Sequence, residues 1–86
     1  MSLSEIELTV LKVMCSRNLY GGKHIRMEKI MRSGFRSDLR GEVKDAIYSL
    51  IKKGFILYAK RSKDAIQLNK EKSNEIQQLI YQNIQS

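Results

Sequence analysis

Apolar residues along the chain keep a helical rhythm in its first and last stretches and an alternating one between them. Ile6, Val10, Val13 and Met14, with Leu8, Leu11 and Cys15 alongside, give a broad helical stripe to about Asn18. Ahead of them, Ser4-Glu-Ile-Glu7 has the form of a capping box: the Ser4 hydroxyl accepts from the Glu7 amide and the Glu7 side chain reaches back. Gly21-Gly22 breaks this helix, and Lys23-His24-Ile25 follows as a short extended piece. A second, shorter helix is predicted from near Arg26, with Met27, Ile30 and Met31 at i, i+3, i+4 and Ser33-Gly34 closing it. Phe35 packs inward and anchors the next turn. Ser37 or Asp38 then caps a third helix whose buried stripe is Leu39, Val43, Ala46, Ile47 and Leu50. Lys52-Lys53-Gly54 ends it, since cations favour the carbonyl end and glycine takes the left-handed position beyond it.

The rhythm then changes. Phe55 to Lys60 is aromatic and aliphatic and reads as a strand, Arg61-Ser-Lys-Asp64 as a polar turn, and Ala65-Ile-Gln-Leu-Asn69 as a returning strand with Ile66 and Leu68 on one face. Asn69 caps a last helix bearing Ile76, Leu79, Ile80 and Ile84. The order is helix, helix, helix, strand, strand, helix, with a tiny additional strand at Ile25. At 86 residues the chain accommodates one domain, of α+β class and mostly α.

Val43-Lys-Asp-Ala-Ile-Tyr-Ser-Leu-Ile-Lys-Lys-Gly-Phe-Ile56 resembles the end of a recognition helix turning into the first strand of a wing. Ile66-Gln-Leu-Asn69 resembles the returning strand and its exit into a terminal helix. Together they make the chain similar to winged helix-turn-helix proteins, particularly the small archaeal ones. The resemblance implies a winged-helix domain over residues 1–69, with three helices and a two-stranded wing hairpin, followed by a C-terminal helix over 70–86. The chain departs from the common pattern in the basic, glycine-containing start of its third helix.

Charge sharpens the picture. The net charge is +7, and residues 17–63 hold 13 basic against 4 acidic side chains, so each end is slightly acidic and the whole excess lies in the middle. A concentrated basic segment suits a polyanion such as nucleic acid. Opposite the buried stripe of the third helix lie Ser37, Gly41, Lys44, Asp45, Tyr48 and Lys52, with Arg40 on the flank. A helix fits the DNA major groove, where Arg and Lys pair with guanine, so Ser37, Arg40, Gly41, Lys44 and Tyr48 are the candidate recognition set. Arg26, Lys29, Arg32 and Arg36 form a second basic set. The family resemblance lays the helix bearing them across the sugar-phosphate backbone, where charge positions the domain without reading sequence. Lys60, Arg61 and Lys63 fall at the hairpin tip, which the resemblance makes a wing touching phosphates or the minor groove. A solvated basic surface is the plainer account of both latter sets.

The last helix poses a separate choice. Ile76, Leu79, Ile80 and Ile84 form a narrow apolar strip beside Asn83, among uncharged glutamines. It either covers the first helix of its own chain or joins a second copy, with Asn83 fixing the register; the small core favours a homodimer.

Catalysis finds no purchase in the sequence. His24 is the single histidine, with no cysteine or carboxylate pattern at metal-ligand spacing. Gly22-Lys23 lacks the flanking glycine and hydroxyl of a phosphate-binding loop, Arg17 and His24 standing there instead. Met14, Met27 and Met31 keep core spacing and read as filler, and Cys15 as core. The reading is therefore a non-enzyme without cofactor, metal or small-molecule ligand. It is expected to be a cytoplasmic regulator of transcription that binds duplex DNA as a dimer on a pseudo-palindromic site. A protein-interaction module in a larger assembly and a duplex-RNA binder are the alternatives. No apolar run reaches the roughly 20 residues that span a bilayer, Glu5 and Glu7 stand where a leader would be basic and apolar, and a lone cysteine forms no internal disulfide.

Overall fold

The computed structural model describes residues 3–20, 23–32, 35–59 and 65–85, with the backbone alone at 37 and 83–85. In chain order it comprises α1 (Glu5–Ser16), β1 (Ile25–Arg26), α2 (Met27–Arg32), a 3₁₀ turn (Ser37–Leu39), α3 (Arg40–Lys52), β2 (Ile56–Tyr58), β3 (Ala65–Leu68), a second 3₁₀ turn (Lys70–Lys72) and α4 (Ser73–Gln85). The protein is α+β and mostly helical, with a three-stranded antiparallel sheet in the order β1-β3-β2.

The capping box forms as the sequence predicts: the Ser4 hydroxyl accepts from the Glu7 amide at 3.2 Å, and Glu7 accepts from the Ser4 amide at 3.0 Å. The second helix begins at Met27, beside the expected Arg26, after Ile25 and Arg26 have paired with Ile66 and Ala65 to extend the sheet. The start of the third differs from expectation and falls at Arg40. Ser37 and Asp38, the expected caps, lie in the 3₁₀ turn instead, and the N-cap position falls to Leu39, which makes no side-chain hydrogen bond. Asp38 is engaged by Arg36 at 3.3 Å.

Gly54 ends α3 at φ +88°, the left-handed conformation open to a residue without Cβ. Asn69 holds that turn from a distance. Its amide donates to the Gly54 carbonyl at 2.8 Å, its backbone N–H donates to Phe55 O, and its side-chain oxygen accepts from Glu71 N. The cap thus serves the 3₁₀ turn that leads into α4. The expected breaks at Gly21-Gly22 and Ser33-Gly34 and the turn Arg61-Ser-Lys-Asp64 lie outside the described residues.

The core gathers Val10, Leu11 and Met14 from α1, Ile30 from α2, and Val43, Ile47 and Leu50 from α3. Ile56, Ile66 and Leu68 close it from the sheet. Ile76 of α4 joins this cluster and is wholly inaccessible to solvent, which corrects its assignment to a dimer strip. A side chain already enclosed by its own chain offers no surface to a second copy. Leu79 and Ile80 are half-buried against the same cluster, while the side chains of Asn83 and Ile84 lie outside the described residues.

One polar link crosses the fold. Glu7 is buried, and Lys53 donates to it at 2.9 Å, tying the start of α1 to the end of α3. Burial alone would raise the Glu7 carboxyl. The Ser4 amide, hydrogen bonds from Lys53 and Ser49, and the charge of Lys53 outweigh it and hold the group below the ordinary carboxylate value.

Candidate nucleic-acid interface

The α3 helix turns its apolar stripe of Val43, Ala46, Ile47 and Leu50 inward, so the opposite face must meet solvent. That face presents Arg40, Gly41, Lys44, Asp45, Tyr48 and Lys52, all exposed. Tyr48 is 43% accessible, high for so large a ring, and the Lys44 ammonium lies 6.0 Å from its centroid. At that distance the ring weakly attracts the cation and biases the lysine along the helix face. The two residues belong to one expected recognition set, and their i, i+4 spacing makes the contact between them readable from sequence. Glu42 is exposed on the other flank, so the helix carries bases along one side, Arg40 and Lys44, and acids along the other, Glu42 and Asp45. Of the expected recognition set, Ser37 lies one turn before the helix rather than on it.

Arg26, Lys29 and Arg32 border one shallow groove together with His24, Ile25 and Glu28. Part of the charge is spent within the chain: in the groove Arg32 pairs with Glu28 at 2.8 Å, and Arg36, which does not line it, pairs with Asp38 at 3.3 Å. Both pairs are highly exposed, hence individually weak and open to exchange for a phosphate. Arg26 and Lys29 are exposed beside them. Sequence grouping as one basic set does not pair these arginines with Glu28 and Asp38, which stand at helical and turn spacing. The expected wing residues Lys60, Arg61 and Lys63 lie outside the described residues; the strands that lead to them, β2 and β3, pair as expected.

Lys53 was counted with the basic middle but is committed to Glu7 and contributes to the interior link instead. Near it, a cleft of about 370 Å³ opens between Leu3, Phe55 and Leu79, rimmed by Lys53, Lys72 and Glu75. None of the α3 face residues lines it. Its two lysines are held by Glu7 and Glu75, the latter at 3.5 Å.

Cys15 is half-buried with its sulfur 3.6 Å from the Tyr20 hydroxyl and Gln77 behind it. Burial pushes the thiol above its ordinary value, so it stays protonated, and burial with the Cys15 contact pushes Tyr20 up to about 12. Among the described residues no three His, Cys, Asp or Glu side chains converge as a metal site, and no helix is long and apolar enough to cross a membrane. Comparison with family models, with curated proteins and with solved structures gives no match.

Proposed function

We propose that this chain is a winged-helix protein that binds double-stranded DNA, with α3 entering the major groove and α2 crossing the backbone. The observation that carries the reading is the exposed face of α3, where Arg40, Lys44 and Tyr48 stand opposite a fully buried stripe. A helix anchored on one side by the core and lined on the other by bases fits a groove about 12 Å wide. The order of elements supports the same reading: three helices lead into a hairpin, and the sequence gathers its positive charge between residues 17 and 63. Regulation of transcription follows from such binding when the site overlaps a promoter. A paired form acting on two half-sites belongs to the proposal, with the uncovered parts of Leu79 and Ile80 as its contact.

The test is a salt titration of duplex binding by fluorescence anisotropy. With about 4–6 phosphates neutralised, log K against log salt has a slope of about −4 to −5. Lys60→Ala combined with Arg61→Ala makes that slope shallower on every duplex, whereas Arg40→Ala or Lys44→Ala relaxes sequence preference. A flat salt response, or a clear preference for duplex RNA run beside the DNA, overturns the proposal.

A further inference from the structure

Two neighbouring features of the α3 face belong together. Gly41 leaves open space: a Cβ built there meets nothing within 4 Å. Asp45 stands one turn further along the same face and is exposed. Helical side chains lean toward the N-terminus, which carries the Asp45 carboxylate toward the gap above Gly41. By helical spacing Lys44 and Tyr48 fall to one side of Gly41, with Arg40 beyond them, and all three are exposed.

A carboxylate on a helix that enters the groove is repelled by every phosphate within about 8 Å, the screening length at physiological ionic strength. The same carboxylate gains once a hydrogen-bond donor on a base edge reaches it. Guanine shows only acceptors in the major groove, and adenine sets its amine beside an acceptor nitrogen that a carboxylate opposes. Cytosine alone shows an amine, N4, with no acceptor on its own base, the nearest being O6 of the paired guanine. Resting on the reading of this chain as a duplex-DNA binder, we propose that Gly41 and Asp45 form a notch for the N4 amine of cytosine. Lys44, the residue before Asp45, donates to O6 and N7 of a nearby guanine. The mixed charge of the face thereby selects G·C pairs, the acid opposing binding wherever no cytosine amine meets it.

Selection of bound duplexes from a randomised pool, with the parent and with Asp45→Ala and Asp45→Asn, tests this. The parent pool fixes a cytosine, and replacing that base by pyrimidin-2-one, which lacks the amine, lowers parent affinity about 5- to 150-fold, the span of one good base contact. Asp45→Ala binds both duplexes alike and holds unselected DNA at least as tightly as the parent does. Asp45→Asn moves the fixed base toward adenine, whose amine and N7 suit an amide. Gly41→Ala weakens the selected duplex more than the unselected one. An Asp45→Ala pool that fixes the same bases as the parent overturns the notch while salt-dependent duplex binding stands. A parent that binds no duplex at low salt overturns the DNA reading, and the notch with it.

Discussion

Ile76→Ala measures how far α4 belongs to the chain's own core. The side chain is fully enclosed among residues of the same molecule, so the substitution removes three carbons from a dry, filled site. At about 0.8 kcal/mol per buried methylene the lost transfer energy is about 2.4 kcal/mol. Incomplete collapse of the hole adds to it, for a total of about 3–4 kcal/mol, inside the usual range for such changes. For a domain of this size each kcal/mol moves the melting temperature by about 4–8 °C, so the midpoint falls by at least about 12 °C. Urea unfolding followed by far-ultraviolet circular dichroism gives the free energy directly, with the m-value as a check that the unfolded state is unchanged. Gln78→Ala, at an exposed position of the same helix, is the control and costs less than about 0.5 kcal/mol. The reasoning predicts no dependence of the Ile76 effect on protein concentration. A loss under 1 kcal/mol, or one that grows on dilution, refutes it and returns Ile76 to an interface between copies.

Three further outcomes follow from the fold. Glu7 is held below its unfolded value, so its contribution is fully present above about pH 4.5 and is lost as pH falls through the folded value. Glu7→Gln therefore flattens the acid limb of a stability–pH curve, and an unchanged limb contradicts the role given to the Lys53 pair. Gly41→Ala raises stability by about 0.5–1 kcal/mol, because helical backbone there has room for a Cβ; thermal melts that show a decrease refute this. Asn69→Ala costs about 1–2 kcal/mol by denaturant titration, since it strips the Gly54 carbonyl and the Glu71 amide together, and neutrality there denies the tie.

Most of the element order was legible in the sequence because periodicity and local chemistry agree. The capping box, the α3 stripe and the left-handed Gly54 are each decided within a few residues, where sequence neighbours are also neighbours in space. What escaped was decided at long range. Nothing local announces that Arg26 joins a sheet, since its partner Ala65 comes from the far end of the hairpin. The Glu7–Lys53 link crosses 46 positions and withdraws a cation that composition had credited to the surface. The start of α3 failed for another reason. Ser37 and Asp38 are good caps by type, but the chain closes a 3₁₀ turn through Leu39 N–H and Arg36 O, and the helix opens only afterwards. The α3 face was read nearly whole from periodicity, whereas the arginines of α2 and the following loop were credited with charge that nearby carboxylates partly offset.

The sheet order has a mechanical corollary. Its two outer strands never touch each other; both are clasped by β3, the last strand to leave the ribosome. Since β1 runs without interruption into α2, pulling on the hairpin pulls on the first turn of that helix through the Ile25–Ile66 and Arg26–Ala65 rungs. A load taken up by β3 is thus delivered to the α2 groove through the two rungs and the covalent chain that joins Arg26 to Met27. A contact made along β3 therefore bears on how α2 is offered, because the strand beside it and the helix are one run of chain.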